Sequence, residues 1–267
     1  MDIWSTARVG LVCVVGFSSL IWLLSLKLRD ASIVDRVWGL IFLVLSASYT
    51  FTAGALDVRK VVVLCLVAIW SIRLSVHIHI RNRGHAEDYR YQAMRAEHGP
   101  AKFWWYSFFS VFLLQAILAF FISAPLLSVA HFSGPPTVTV FDVAGLLIWS
   151  IGFYFEAVGD WQLVRFKKNP SNKGKLLTTG LWSLTRHPNY FGDATLWWGF
   201  FLLAVSVPWG ALTFFGPLLM TFFIIKVSGV QLLEKNLVSS KPGYEAYIKD
   251  TPAFVPRLSF IFRKYFK

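Results

Sequence analysis

The stretch Gly180-Leu-Trp-Ser-Leu-Thr-Arg-His-Pro-Asn-Tyr-Phe-Gly-Asp193 sets a dense group of polar and charged residues into a chain that is otherwise strongly apolar. Arg186 supplies a permanent cation with a planar fork of donors, and Asn189 offers both a donor and an acceptor. Tyr190 can stack or hydrogen-bond, Asp193 adds a carboxylate, and His187 lies beside Arg186 just before Pro188. An apolar run resumes directly afterwards, so the group sits at the mouth of an expected membrane helix. Such a set can hold a charged cofactor beside a lipid-like substrate. Upstream, Lys167, Lys168, Lys173 and Lys175 form a basic loop suited to phosphate, although membrane topology alone also demands basic loops. Glu234, Tyr244 and Tyr247 are near enough in order to close the group from below.

The elements that must position these residues are membrane helices. The 267 residues are 56% hydrophobic and 17% aromatic, with 12 Trp and a mean hydropathy of +0.56, well outside the range of a soluble domain. Seven apolar stretches approach the roughly 20 residues that cross a hydrocarbon core. They run over about 9–26, 37–55, 61–80, 103–129, 143–164, 191–207 and 211–230. Their continuity argues for helices rather than alternating barrel strands. The expected fold is therefore all-α, a polytopic membrane helix bundle of about seven spans forming one integral-membrane domain over 1–267.

The net charge of +12 does not point to nucleic acid, because the basic residues alternate by loop. Of the 26 Lys and Arg, 22 fall on one side of the expected topology and 3 on the other, leaving Arg73 inside a helix. The positive-inside rule then puts the N-terminus outside and the C-terminus in the cytoplasm. A smaller share of the charge is available for anionic ligands or membrane lipid headgroups. The first apolar stretch is followed by Leu26-Lys-Leu-Arg-Asp30 rather than a small-residue cleavage site, so it reads as a retained helix. Cys13 and Cys65 fall in apolar runs, which argues against a disulfide framework or thiolate metal site.

Ionisable groups inside apolar helices need a partner or a task. Arg73 in the third span and Glu156 in the fifth are a candidate ion pair, either structural or part of a substrate chamber wall. Asp160 lies four residues after Glu156, on the same helical face. His77 and His79 are two apart and point in different directions, a poor arrangement for a metal. The loop 81–102 places Glu87, Asp88, Arg90 and Arg95 where they can pair at helical spacing. It reads as a salt-bridged connector, with a lid or headgroup site as the alternative.

Several segments resemble a known family. Phe166-Lys-Lys-Asn-Pro170, Gly180-Leu-Trp182, Arg186-His-Pro-Asn-Tyr190, Gly192-Asp193 and Tyr244-Glu-Ala-Tyr247 are similar to the C-terminal region of the steroid 5-alpha reductase and delta-14 sterol reductase superfamily. More closely, the chain resembles bacterial membrane proteins defined by that reductase-like region, which here covers about 150–260. The resemblance implies a multi-helix membrane fold with NADPH entering from the cytoplasm, and it favours a bacterial cytoplasmic membrane over the endoplasmic reticulum. It implies that Lys167, Trp182, Asn189, Tyr190 and Asp193 cradle NADPH with Asp160 nearby. Arg186, His187, Glu234 and Tyr247 complete the cofactor set.

The tail departs from the reductase pattern. Val230 and Gln231 precede Glu234 where an arginine is usual, with Lys226 a turn earlier as a substitute. The Glu and Tyr pair that polarises the steroid ketone has no clear match in the first three helices, so the resemblance does not extend to the steroid itself; the expected substrate is an apolar lipid or steroid-like molecule. The implied reaction is hydride delivery to a carbon–carbon double bond, with Glu156 and Arg73 as the catalytic candidates. The Arg-His-Pro-X-Tyr-X-Gly pattern is shared with membrane methyltransferases that use S-adenosylmethionine on lipid or prenyl substrates. Those usually carry a Glu-Glu pair, whereas here Lys235 follows Glu234. A noncatalytic lipid-binding or assembly protein is the third reading.

Overall fold

The computed structural model describes residues 2–227, 230, 233–234, 237–238 and 241–257; Gln231 and Lys235 lie outside them. Among the described residues the regular structure is helical throughout. In order these are α1 (Ile3–Leu28), α2 (Ile33–Thr52), α3 (Val58–Asn82), α4 (Tyr89–His98), α5 (Pro100–Ile122), α6 (Ala124–His131), α7 (Val140–Lys168), α8 (Pro188–Val205), α9 (Gly210–Val227) and α10 (Tyr244–Asp250).

Helix starts reach a few residues beyond the apolar runs because polar caps define them. Asp2 accepts from the Ser5 amide at 2.7 Å and Asp57 from the Lys60 amide at 3.0 Å. Thr139 and Asp142 form a reciprocal capping box at the start of α7. Arg165, Lys167 and Lys168 end α7, where cations suit the helix dipole.

Six of these helices, α1, α2, α3, α5, α7 and α9, are long and apolar enough to cross a membrane. The run at 191–207 forms α8, whose first half carries Asn189, Tyr190, Asp193 and Thr195 and so falls short of the others in apolar character. The expected single span 103–129 is broken at Ser123. Pro125 lies in the first turn of α6, where its missing amide and fixed φ suit a helix start but not a helix interior.

The helices gather into two compact units, one comprising the residues up to Pro136 with Ala204–Thr213, the other Thr137–Leu203 with the described residues from Phe214 onward. In the first unit, α2 packs on α1 and α3 around buried Phe42, Leu45, Tyr49, Val67 and Trp70. The Tyr49 hydroxyl meets Ser123 Oγ at 3.0 Å.

A charged strap ties the loops of this unit together. Glu87 accepts from the Ala31 amide at 2.7 Å and from Arg95 at 2.8 Å. Arg90 donates to Asp35 at 2.7 Å and Tyr91 donates to the same carboxylate at 2.8 Å. These partners are mostly non-local, so the strap is a tertiary connector rather than a set of pairs along one helix.

Candidate functional site

In the second unit, a seam of glycines brings two helix backbones together. The buried residues of α7 are Asp142, Gly145, Trp149, Gly152, Glu156, Gly159 and Asp160, a stripe on one helical face. Gly145, Gly152 and Gly159 recur every seven residues, and α8 answers with Gly192 and Gly199 at the same spacing. A Cβ on Gly152 would lie 2.4 Å from the Leu196 amide nitrogen, and one on Gly192 would lie 2.3 Å from that of Glu156. Only glycine allows this approach, the usual device for close helix contact in membranes. Glu156, 2% exposed, is thereby fixed at the crossing, with buried Asp160 one turn further on.

The loop before α8 docks on the end of this seam. Asn189 Nδ2 donates to Asp160 Oδ1 at 3.0 Å, and Asn189 Oδ1 accepts from the Tyr190 amide at 3.1 Å. Trp182 Nε1 donates to the Gly159 carbonyl at 3.0 Å, while Gln162 Oε1 accepts from the Leu181 amide at 3.0 Å. Sequence reasoning passed over Gln162 and the glycine seam; the seven-residue glycine spacing was the available signal for the seam.

A second cluster latches the C-terminal segment to the start of α8. Arg186 Nε donates to Glu234 Oε1 at 2.7 Å, and Nη1 donates to the carbonyls of Ile248, at 3.2 Å, and Thr251. The Arg186 amide donates to the Pro252 carbonyl at 2.9 Å. His187 Nε2 lies 3.1 Å from the same Glu234 oxygen, and its ring stacks with that of Tyr190. The Tyr247 hydroxyl donates to the Trp182 carbonyl, which links this latch to the Asp160 cluster.

The electrostatics of the latch follow from partial burial. Burial opposes ionisation of Glu234, but the hydrogen bond and charge of Arg186, with His187 behind them, hold its carboxyl below the ordinary value. Burial lowers the His187 pKa, and the Glu234 contact only partly offsets it. Burial next to Glu234 pushes the Tyr244 hydroxyl up to about 12.

The structure thus brings together Asp160, Trp182 and Asn189 in one cluster and Arg186, His187 and Glu234 in another, with Tyr247 between them. Tyr190 and Asp193 are half-buried on α8, and Lys167 is exposed on the last turn of α7. Arg73 is half-buried on α3, in the first unit, whereas Glu156 belongs to the second. A cavity of about 720 Å³ opens beside the latch, and Tyr247 is the one sequence-selected residue in its lining. Among the described residues no group of three His, Cys, Asp or Glu side chains is placed to hold a metal ion.

The profile of the family described as "Protein of unknown function (DUF1295)" matches residues 21–251. The chain belongs to that family. This DUF1295 protein is 24% identical to the uncharacterised protein C594.04c of Schizosaccharomyces pombe over 280 aligned positions, 94% of this chain and 79% of that protein. It is 38% identical over 80 residues, 30% of this chain, to the probable O-methyltransferase ustE of Ustilaginoidea virens, and that match spans 28% of the relative. It is 33% identical over 94 residues, 29% of this chain, to the delta(14)-sterol reductase erg24 of S. pombe, spanning 22% of it. No solved structure matches it significantly. The DUF1295 chain is a multi-pass membrane protein by its helices, with partial likeness to two kinds of enzyme.

Proposed function

We propose that this protein is a membrane enzyme that reduces a carbon–carbon double bond of an apolar lipid or steroid-like substrate with NADPH. The observation that carries this reading is the meeting of Asp160, Trp182 and Asn189 from two helices and a loop at one end of the glycine seam. The donor set suits the cofactor: a carboxylate and an amide for its hydroxyl and carboxamide groups, and the exposed cations of the loop after α7 for its phosphates. The partial identity to a sterol reductase supports the same choice.

When bound, NADPH would supply the hydride that forms one new C–H bond. The chain does the positioning and proton work. Asp160, held by Asn189, presents a fixed acceptor, and Trp182 provides a rigid wall. Glu156, buried one turn along α7, would give its proton to the second carbon, which completes the addition of two hydrogens. The excess of basic residues in the loops at this end supports a cytoplasmic orientation, in which NADPH would have access to it.

A second reading is S-adenosylmethionine-dependent methyl transfer to a lipid or prenyl group, favoured by the 38% identity to a probable O-methyltransferase. Calorimetric titration of the purified protein separates the two. NADPH binding is expected, weakened about tenfold by Asn189→Ala through loss of one charged hydrogen bond. Binding of S-adenosylmethionine with no response to NADPH would establish the methyltransferase reading instead. Binding of neither by folded protein would leave noncatalytic lipid binding.

A further inference from the structure

The cavity of about 720 Å³ is lined by Leu176, Thr178 and Ser183 of the loop before α8, by α10 and its preceding Gly243, and by Thr251 and Arg257 beyond it. Its volume is in the range of small-molecule sites. Its walls are fixed from outside: Arg186 holds the carbonyls of Ile248 and Thr251, and the Arg257 amide donates to the Leu184 carbonyl at 2.9 Å. Tyr247, held through its hydroxyl on the Trp182 carbonyl, contributes a positioned ring.

The lining chemistry is cationic. The lining includes two cations, Lys249 and Arg257, against one carboxylate residue, Asp250, together with the hydroxyl residues Thr178, Ser183 and Thr251; the Arg257 guanidinium also reaches the Asp250 carbonyl at 3.5 Å. An arginine fork, an ammonium group and hydroxyl donors around an aromatic ring suit a phosphorylated nucleoside better than an apolar ligand. Trp182 joins this cavity to Asp160, since its carbonyl receives Tyr247 and its indole donates to Gly159.

We propose that this cavity takes the phosphate-bearing adenosine end of the cofactor, with Lys249 and Arg257 on the phosphate that distinguishes NADPH from NADH and Tyr247 as the wall for the base. This rests on the reductase reading. Both cations are exposed, so their removal leaves the latch and the seam intact.

The test is calorimetry of wild-type protein and Lys249→Gln/Arg257→Gln with NADPH and NADH, each first checked for unchanged thermal stability. Wild type is expected to prefer NADPH by about tenfold or more, and the double variant to lose that preference while NADH affinity stays within about twofold. A preference that survives the substitutions, or equal affinities in wild type, overturns the assignment and leaves the reductase reading standing. Failure of folded wild type to bind either nucleotide overturns both. An anionic lipid headgroup is the other source of phosphate. NADPH affinity is expected to be equal in phosphatidylcholine and phosphatidylglycerol nanodiscs. Competition by phosphatidylglycerol that the double variant abolishes would make the cavity a headgroup site and overturn the proposal.

Discussion

The strap of the first unit and the latch of the second are both clusters of arginines and carboxylates next to apolar helices, yet they are built differently. In the strap, each cation meets one or two carboxylates, as with Arg95 on Glu87 and Arg90 on Asp35 and Asp88, and the pairs are partly open to water. In the latch, a single guanidinium serves one carboxylate and two backbone carbonyls, and its side chain is only 7% exposed. The strap is held mainly by side-chain pairs, with one backbone amide, that of Ala31, on Glu87. The latch organises backbone around Trp182 and a cavity, which is what a binding site needs and a connector does not.

The helix backbones differ in the same sense, and this gives the largest expected effect. Gly192→Ala drives a methyl group into the α7 backbone, so its cost should reach about 3 kcal/mol or more, at the upper end for overpacking. Gly16→Ala on α1 meets nothing within 4 Å and should be neutral or stabilise by about 0.5–1 kcal/mol, as expected for glycine in a helix interior. Melting temperatures in detergent would show the contrast. Equal effects would remove the claim that the seam is a contact of backbones.

Next in size is the loss of the arginines. Arg186→Ala leaves a half-buried carboxylate and two carbonyls without their donor, and should cost about 2–4 kcal/mol. Arg95→Ala in the strap, where Arg95 is 34% exposed and also covers the Phe103 ring at 4.1 Å, should cost about 1 kcal/mol. Denaturant midpoints of the two variants give the comparison, and a larger loss for Arg95 would reverse it.

The smallest effect is in the response to pH. The folded-state pKa of His187 is lowered, so its contribution is complete above the ordinary value of 6.5 and declines as pH falls below it. The folded-state pKa of Glu234 is also lowered, so its contribution holds above 4.5 and is lost as pH falls through the depressed value. Asp88 in the strap is likewise lowered from 3.8: burial opposes this, but its Arg90 hydrogen bonds prevail. The latch should therefore begin to loosen as pH falls below 6.5, before the Asp88–Arg90 contact of the strap, whose carboxylate titrates below 3.8. Proteolysis of the C-terminal segment between pH 7.5 and 5.5 would report it, and His187→Asn should flatten the response.

Much of this architecture is written locally. Apolar runs mark the membrane helices, and Asp2, Asp57 and Thr139 mark where three of them start. The break at Ser123 was signalled by Pro125 but masked by apolar residues that continue across it. The segment around Arg186 stands out as a candidate site through composition alone. What it cannot announce is that Arg186 spends its donors on the Ile248 and Thr251 carbonyls, because those contacts depend on how a distant tail folds back. Lys167 shows the converse: a residue picked by resemblance stands exposed on the last turn of α7, while Lys249 and Arg257, which no motif marks, line the cavity.

The most direct test of the claim that the second unit houses reductive chemistry is label transfer. Membranes containing the protein would be incubated with NADPH deuterated at the transferable position, and the extracted lipids analysed by mass spectrometry. Deuterium should appear on carbon in an apolar lipid, and Glu156→Gln should reduce it by roughly 10²-fold, the scale for losing a positioned acid, while leaving NADPH binding intact. Lipids that acquire no deuterium but take up a labelled methyl group from S-adenosylmethionine would contradict the account.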